Sequence, residues 1–314
     1  RSTVIEAGKF FTPLAAAYIS VSAPVFFNDG KVQTSQWISA GNKFQFTKIA
    51  LRVNINAGYL RCADGENSWI GMVEVQKTFV RHLVLNMLAS HQPYYYTLSS
   101  LTASVIPYHY TASLGWNNLE SWNGKATFSF DHFITSQNYV YSINGWFLAP
   151  PLKVSVFDFR IGYAYNFSSS KQNRFVAKES LSEIITNYNS SSAIEGIYNP
   201  IFTPYNQSTH AVLASVNIHP HKQIELGVNA NVGFYGTTKN PYLFLNLNSN
   251  NAVYVDRGYS KILFFPDEVT AFIAVKISPQ VALRATYSFL HNNFYNSHYA
   301  GLSLNANFWN EKRK

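Results

Sequence analysis

From Gln223 to Phe234 apolar and polar residues alternate without interruption. Ile224, Leu226, Val228, Ala230, Val232 and Phe234 form one set, and Gln223, Glu225, Gly227, Asn229, Asn231 and Gly233 the other. A period of two puts the sets on opposite faces of a β-strand, one oily and one wet. The same code runs through Ile49, Leu51, Val53, Ile55, Ala57 and Tyr59, set against Ala50, Arg52, Asn54, Asn56 and Gly58. It returns in Phe157, Phe159, Ile161, Tyr163, Tyr165 and Phe167, whose other face carries Asp158, Arg160, Gly162, Ala164 and Asn166. Strands this long and this strictly two-faced suit a wall between lipid and a water-filled lumen.

Composition narrows the choice. The 314 residues are 47% hydrophobic and 16% aromatic, yet the mean hydropathy is only −0.09, so the apolar residues are dispersed. No run approaches the roughly 18 apolar residues of a membrane-spanning helix. A chain of this kind that crosses a bilayer must do so as a closed barrel, because lipid offers nothing to an unpaired strand edge. The 21 Tyr, 24 Phe and 6 Trp fit aromatic girdles at two membrane interfaces. A soluble β-sandwich or propeller also gathers aromatic residues, but seldom sustains alternation through so many strands of this length.

The formal net charge is +8. Its basic residues are scattered, with one tight cluster at Lys312, Arg313 and Lys314 and no basic-aromatic stripe for nucleic acid. Cys62 is the single cysteine, so no internal disulfide forms. No signal-peptide pattern opens at Arg1, which predicts a mature or excised chain.

Turn chemistry sets the organisation. Val212 to Ile218 runs into His219-Pro220-His221-Lys222 and returns through the Ile224 series; Val269 to Ile277 runs into Ser278-Pro279-Gln280 and returns through Val281 to Phe289. Further strands are predicted near 154–167, 138–147, 125–134, 99–116, 80–90, 68–76, 44–59, 32–40 and 15–27, with two more around Tyr242–Asn246 and Ala252–Phe265. The expectation is one all-β domain over 1–314, a transmembrane antiparallel up-and-down β-barrel of 14–16 strands with long extracellular loops. Ser168–Gln207 and Gly236–Asp267 are the long connections. Within the first, Val176, Leu181, Ile184 and Ile185 have helical spacing, which predicts a short helix in 176–188 acting as a lid or constriction.

Motifs for chemistry are sparse. His219-Pro220-His221 lacks the further ligands of a metal site, and no His-Glu-x-x-His, phosphate loop or nucleophile elbow is present. His109, His132, His291 and His298 lie where rim catalysis would be built, but spacing fixes no nucleophile-base pair. No catalytic residue, cofactor or metal is therefore expected. Arg52, Asn54, Glu74, Asp158, Arg160, Glu225, Asn229, Asn231, Lys276 and Arg284 fall on wet faces and are predicted to line the lumen and touch a solute. Both signs of charge occur, unlike a single-sign ion filter. A mixed lumen with Asn, Ser and Tyr suits a neutral, hydroxyl-rich solute such as a glycan; the alternative is that the charges pair across strands and stiffen the wall.

Two local patterns resemble known families. Tyr299-Ala300-Gly301-Leu302-Ser303-Leu304-Asn305-Ala306-Asn307-Phe308 resembles the C-terminal recognition signal of outer-membrane barrels. Gly196-Ile197-Tyr198-Asn199-Pro200 and Phe202-Thr203-Pro204-Tyr205, followed by a patterned hairpin, a polar loop and closing strands from Val269 to Phe308, resemble the C-terminal barrel of cellulose synthase C and related tetratricopeptide-repeat polysaccharide exporters. Gly8-Lys9-Phe10-Phe11-Thr12-Pro13-Leu14 is similar in flavour, and the match covers mainly 196–308. The resemblance implies a channel in the Gram-negative outer membrane that exports an exopolysaccharide, with outer-membrane lipids, a glycan or small-solute cargo, a periplasmic helical-repeat scaffold and an inner-membrane synthase as partners. No helical-repeat region is present in this sequence, a departure from the family's full pattern. An uptake porin is the second expectation and a barrel enzyme the third.

Overall fold

The computed structural model describes residues 2–12, 14–28, 31–62, 65–80, 82–94, 100, 105–118, 120–187, 193–278, 281–292 and 296–306. In chain order the first strands are β1 (Ser2–Thr12), β2 (Ala15–Asn28), β3 (Lys31–Thr34), β4 (Gln36–Phe46), β5 (Leu51–Arg61), β6 (Asn67–Val80) and β7 (Leu83–His91). There follow β8 (Tyr108–Trp116), β9 (Asn123–Phe133), β10 (Asn138–Leu148), β11 (Leu152–Val154), β12 (Phe157–Ser170) and β13 (Phe175–Ala177). Helix α1 (Leu181–Asn187) and β14 (Gly196–Tyr198) lie in the next connection. The chain closes with β15 (Gln207–His221), β16 (Ile224–Leu247), β17 (Val253–Phe264), β18 (Asp267–Ser278), β19 (Val281–His291) and β20 (Asn296–Ala306).

All but β13 and β14 belong to one 18-stranded antiparallel sheet in which pairing follows chain order. Three returns are cut in two. β3 and β4 meet at Ser35, β10 and β11 at Ala149-Pro150-Pro151, and β17 and β18 at Phe265-Pro266. Proline cannot donate to a ladder, which explains the latter two breaks. The 18 strands thus make 15 staves among the described residues, inside the expected range but odd in number. The first and last staves therefore run in the same direction, and no ladder joins them among the described residues.

Register explains why the pattern is so strict. Directly opposed residues share a face, and Ile38, Tyr59 and Trp69 stand opposite one another across three staves. Large apolar side chains on this outer face are open: Trp69 is 73% exposed, Ile161 63% and Leu302 74%. A water-soluble monomer does not carry so much open apolar surface. The total accessible area, 20333 Å², also exceeds the roughly 13,000 Å² of a compact globule of this mass. The excess arises because a one-layer wall exposes both faces. Outer apolar residues are stabilised by lipid, and the inner face is left to water.

The structure moves several sequence boundaries. β1 has no counterpart among the pattern-based strands: its Phe10-Phe11 pair breaks the alternation, and the strand bulges between Phe10 and Thr12. The predicted 44–59 strand is two strands, separated by a 3₁₀ turn at Thr47–Ile49 and by Ala50 in the left-handed region at φ 48°. The predicted 99–116 strand shortens to β8, and the described residues 105–107 just before it carry no ladder. Gly236–Asp267 is mostly the β16–β17 hairpin and not an open loop.

Candidate functional site

The register places all ten charged and amide residues singled out from sequence on the face opposite the apolar belt. They fall in two arcs. On the first, Arg52 stands between Gln45 and Gln76, while Asn54 stands between Lys43 and Glu74. On the second, Asp158 faces Asn217 and Arg160 faces Ser215 across β12 and β15. Asn229 lies between Ser215 and Thr270, and Asn231 between Leu213 and Glu268. Glu225 opposes Ala274, Lys276 opposes Ala282, and Arg284 stands between Ala274 and Ser303. Arg52, Glu74, Arg160, Glu225, Lys276 and Arg284 enter no ion pair with another described residue. Cross-strand pairing of these charges therefore does not stiffen the wall. Asp158 has the long contact to His219 Nδ1, at 4.0 Å.

Sequence reasoning missed what lies between the arcs. Starting at Gln76, the inward neighbours are Asn86, Ser113, Thr127, Asn144, Asn166 and Thr209 on successive staves from β7 to β15. This is an unbroken belt of uncharged amides and hydroxyls. Each residue was visible as a polar position, but only the ladder register shows that they stand side by side.

Aromatic rings also enter the inner face. The Tyr18 ring reaches over Gly41, where an added Cβ would sit 2.6 Å from its Cζ. Its hydroxyl donates to Asn54 Oδ1 at 2.9 Å and accepts from Asn56 Nδ2 at 3.2 Å. Phe272 lies over Gly227 in the same way, with the Arg284 guanidinium 3.9 Å from its ring centre. An inward glycine opposite an aromatic residue is the sequence signal for this device.

One end of the barrel is capped from inside. Val105 and Ile106, adjacent in the connection between β7 and β8, point into two apolar clusters. Ile106 and Trp37 pack against the cluster of Leu60, Cys62 and Ile70; Val105 and Val140 pack against the cluster of Tyr94, Phe133 and Ile201. Ile201 is only 1% exposed. It comes from the 171–206 connection, which folds back on the wall through several bonds. Arg174 donates to Ser136 O at 2.6 Å, Asn138 Nδ2 to Gln172 O at 2.9 Å, and Arg257 of β17 to the carbonyls of Asn173 and Phe175. Tyr198 packs between Phe175 and Phe202, and burial pushes its hydroxyl up to about 12. The helix expected in 176–188 is α1; Val176 instead belongs to β13, and Tyr188 lies outside the described residues. Ser180 and Glu183 form its capping box, with Ser180 N–H donating to Glu183 Oε2 at 2.8 Å. A cavity of about 930 Å³ remains at this mouth, lined by Cys62, Glu66, Phe133, Arg174 and Ile201 among others.

Of the four histidines considered for catalysis, His132, His291 and His298 lie on the apolar outer face. His109 alone faces inward, opposite Asp131. No group of three or more metal-ligating side chains occurs among the described residues.

No family model matches the chain, and no curated protein matches it. Among solved structures it is similar to one described as a bacterial polysaccharide outer membrane secretin, with a TM-score of 0.65 and 9% identity over 98% of this chain and 90% of that one. Two further similarities are loose. The siderophore receptor PiuA from Acinetobacter baumannii gives a TM-score of 0.28 at 10% identity, over 92% of this chain and 47% of that one. OmpT of Vibrio cholerae lacking loop L8 gives 0.22 at 9% identity, over 97% and 99%. The first similarity and the open apolar belt agree: the chain is a transmembrane β-barrel of the Gram-negative outer-membrane type.

Proposed function

We propose that this barrel is a passive outer-membrane channel for a neutral, hydroxyl-rich polymer, an exopolysaccharide of the cellulose-like kind. The observation that carries the reading is the uncharged belt from Asn86 to Thr209. Amides and hydroxyls both donate and accept, so they exchange hydrogen bonds with sugar hydroxyls at successive positions. Such contacts are numerous and individually weak, which lets a chain enter and leave. The likeness in fold to a polysaccharide secretin supports the same reading. A passive pore needs its driving force from elsewhere, which is the part an inner-membrane synthase and a periplasmic helical-repeat scaffold would play.

The test is single-channel recording in planar bilayers with neutral oligosaccharides. Transient current block is expected, and Asn144→Leu with Asn166→Leu should shorten the block. Indifference to every oligosaccharide, with free passage of small charged solutes, would replace export by porin-like uptake.

A further inference from the structure

The inner wall at β8 and β9 carries an arrangement that passage of a solute does not use. His109 sits between two oxygens, with Nδ1 2.6 Å from Asp131 Oδ1 and Nε2 2.7 Å from Thr111 Oγ1. Thr111 Oγ1 is in turn 3.3 Å from Ser129 Oγ. Register fixes all four, since Asp131 stands opposite His109 and Ser129 opposite Thr111. An ionised carboxylate only accepts, so Nδ1 carries the proton and Nε2 of the neutral ring is an acceptor. In that neutral tautomer the Thr111 hydroxyl donates to Nε2, the arrangement of a hydroxyl nucleophile held by a general base. Side-chain exposures of 32% for His109 and 26% for Asp131 leave the group open to the lumen.

We propose that Asp131, His109 and Thr111 form a hydrolytic relay that removes a small acyl group carried as an ester on a hydroxyl-rich solute. Thr111 Oγ bonds to the acyl carbon as its proton passes to His109 Nε2. That proton goes to the departing alkoxide oxygen as the ester C–O bond breaks. Water next gives a proton to His109 while its oxygen bonds to the acyl carbon; Thr111 recovers the proton as the carboxylic acid leaves. Ester and water become alcohol and acid, with no oxidant or reductant needed. Backbone N–H groups of paired strands are committed to the ladder, so the developing oxyanion takes its hydrogen bond from the Ser129 hydroxyl. One side-chain donor gives slower turnover than a paired backbone hole. The solute class rests on the glycan-channel reading; the hydrolysis does not.

The test uses the full chain in detergent micelles with p-nitrophenyl acetate, and channel conductance is recorded on the same preparations. Release above the micelle blank is expected, falling at least about tenfold in Thr111→Val and His109→Gln. Acid quench should trap an acetyl adduct on Thr111, read by peptide mass spectrometry. Asp131→Asn misorients the imidazole and should lower kcat with KM unchanged, whereas a merely structural role would move both. Thr111→Ser should keep the release and carry the adduct, which leaves the test readable if the valine variant does not fold. Release at blank level from the folded wild type, or full release without an adduct in folded Thr111→Val, overturns the relay. Retained conductance without release defeats the relay alone; release without oligosaccharide block defeats the channel reading alone.

Discussion

Val228 and Asn229 are chain neighbours on opposite faces, which makes them a sensitive pair for the wall as a whole. Val228 opposes Val216 and Ala271 in the apolar belt, while Asn229 opposes Ser215 and Thr270 on the inner face. Val228→Lys should impair insertion by about 2–4 kcal/mol near the bilayer midplane, whereas Asn229→Lys should be mild. Heat-modifiable gel mobility after refolding into vesicles measures both, and equal tolerance would reverse the facing. Gly233 is a second sensitive position. A Cβ there would lie 2.5 Å from Pro266 Cδ and Pro266 O, where β16 passes from β18 to β17. Gly233→Ala should therefore cost about 1–3 kcal/mol through overpacking, read as a lower thermal midpoint of the barrel. The facing of Val228 was legible from alternation. The tightness at Gly233 was not, because its partner Pro266 is remote in sequence.

At the level of elements, the 171–206 connection is held by bonds to three separate parts of the barrel, and its helix depends on a charged cap. Two hydrogen bonds from Ser180 hold the Glu183 carboxyl below its ordinary value of 4.5. A depressed carboxylate stabilises the folded form above its ordinary value, and that contribution is lost as pH falls through the depressed one. Backbone hydrogen-exchange protection over α1, taken relative to the intrinsic rate at each pH, should therefore fall on acidification below about pH 4.5, and Glu183→Gln should remove the dependence. Deleting 176–188 should raise single-channel conductance, because a loop of this length folded over a barrel mouth is commonly a constriction. Unchanged conductance would mean that the 92–107 connection, through Val105 and Ile106, closes the mouth by itself. Periodicity found the helix; it did not find that Ile201 buries itself against Tyr94 and Phe133. No period encodes a contact between two loops.

For the whole molecule, a one-layer wall with an open apolar exterior requires lipid or detergent. Purified chain in micelles should give a β-rich spectrum and resist unfolding until heated, as paired strands without free internal edges do. A monodisperse, detergent-free protein would contradict the membrane assignment.

Alternation alone determined the wall, because a strand's two faces are set by the geometry of successive residues, and neighbouring faces must agree once strands pair. It also put Arg52, Glu74, Asp158 and Arg284 on the wet side. Only the tertiary structure decided which wet residues become neighbours: ladder register joined Asn86 to Thr209 through four intervening staves and set His109 between Asp131 and Thr111. Register depends on turn geometry, bulges and side-chain packing summed over many strands, and those couplings act between positions far apart in the chain.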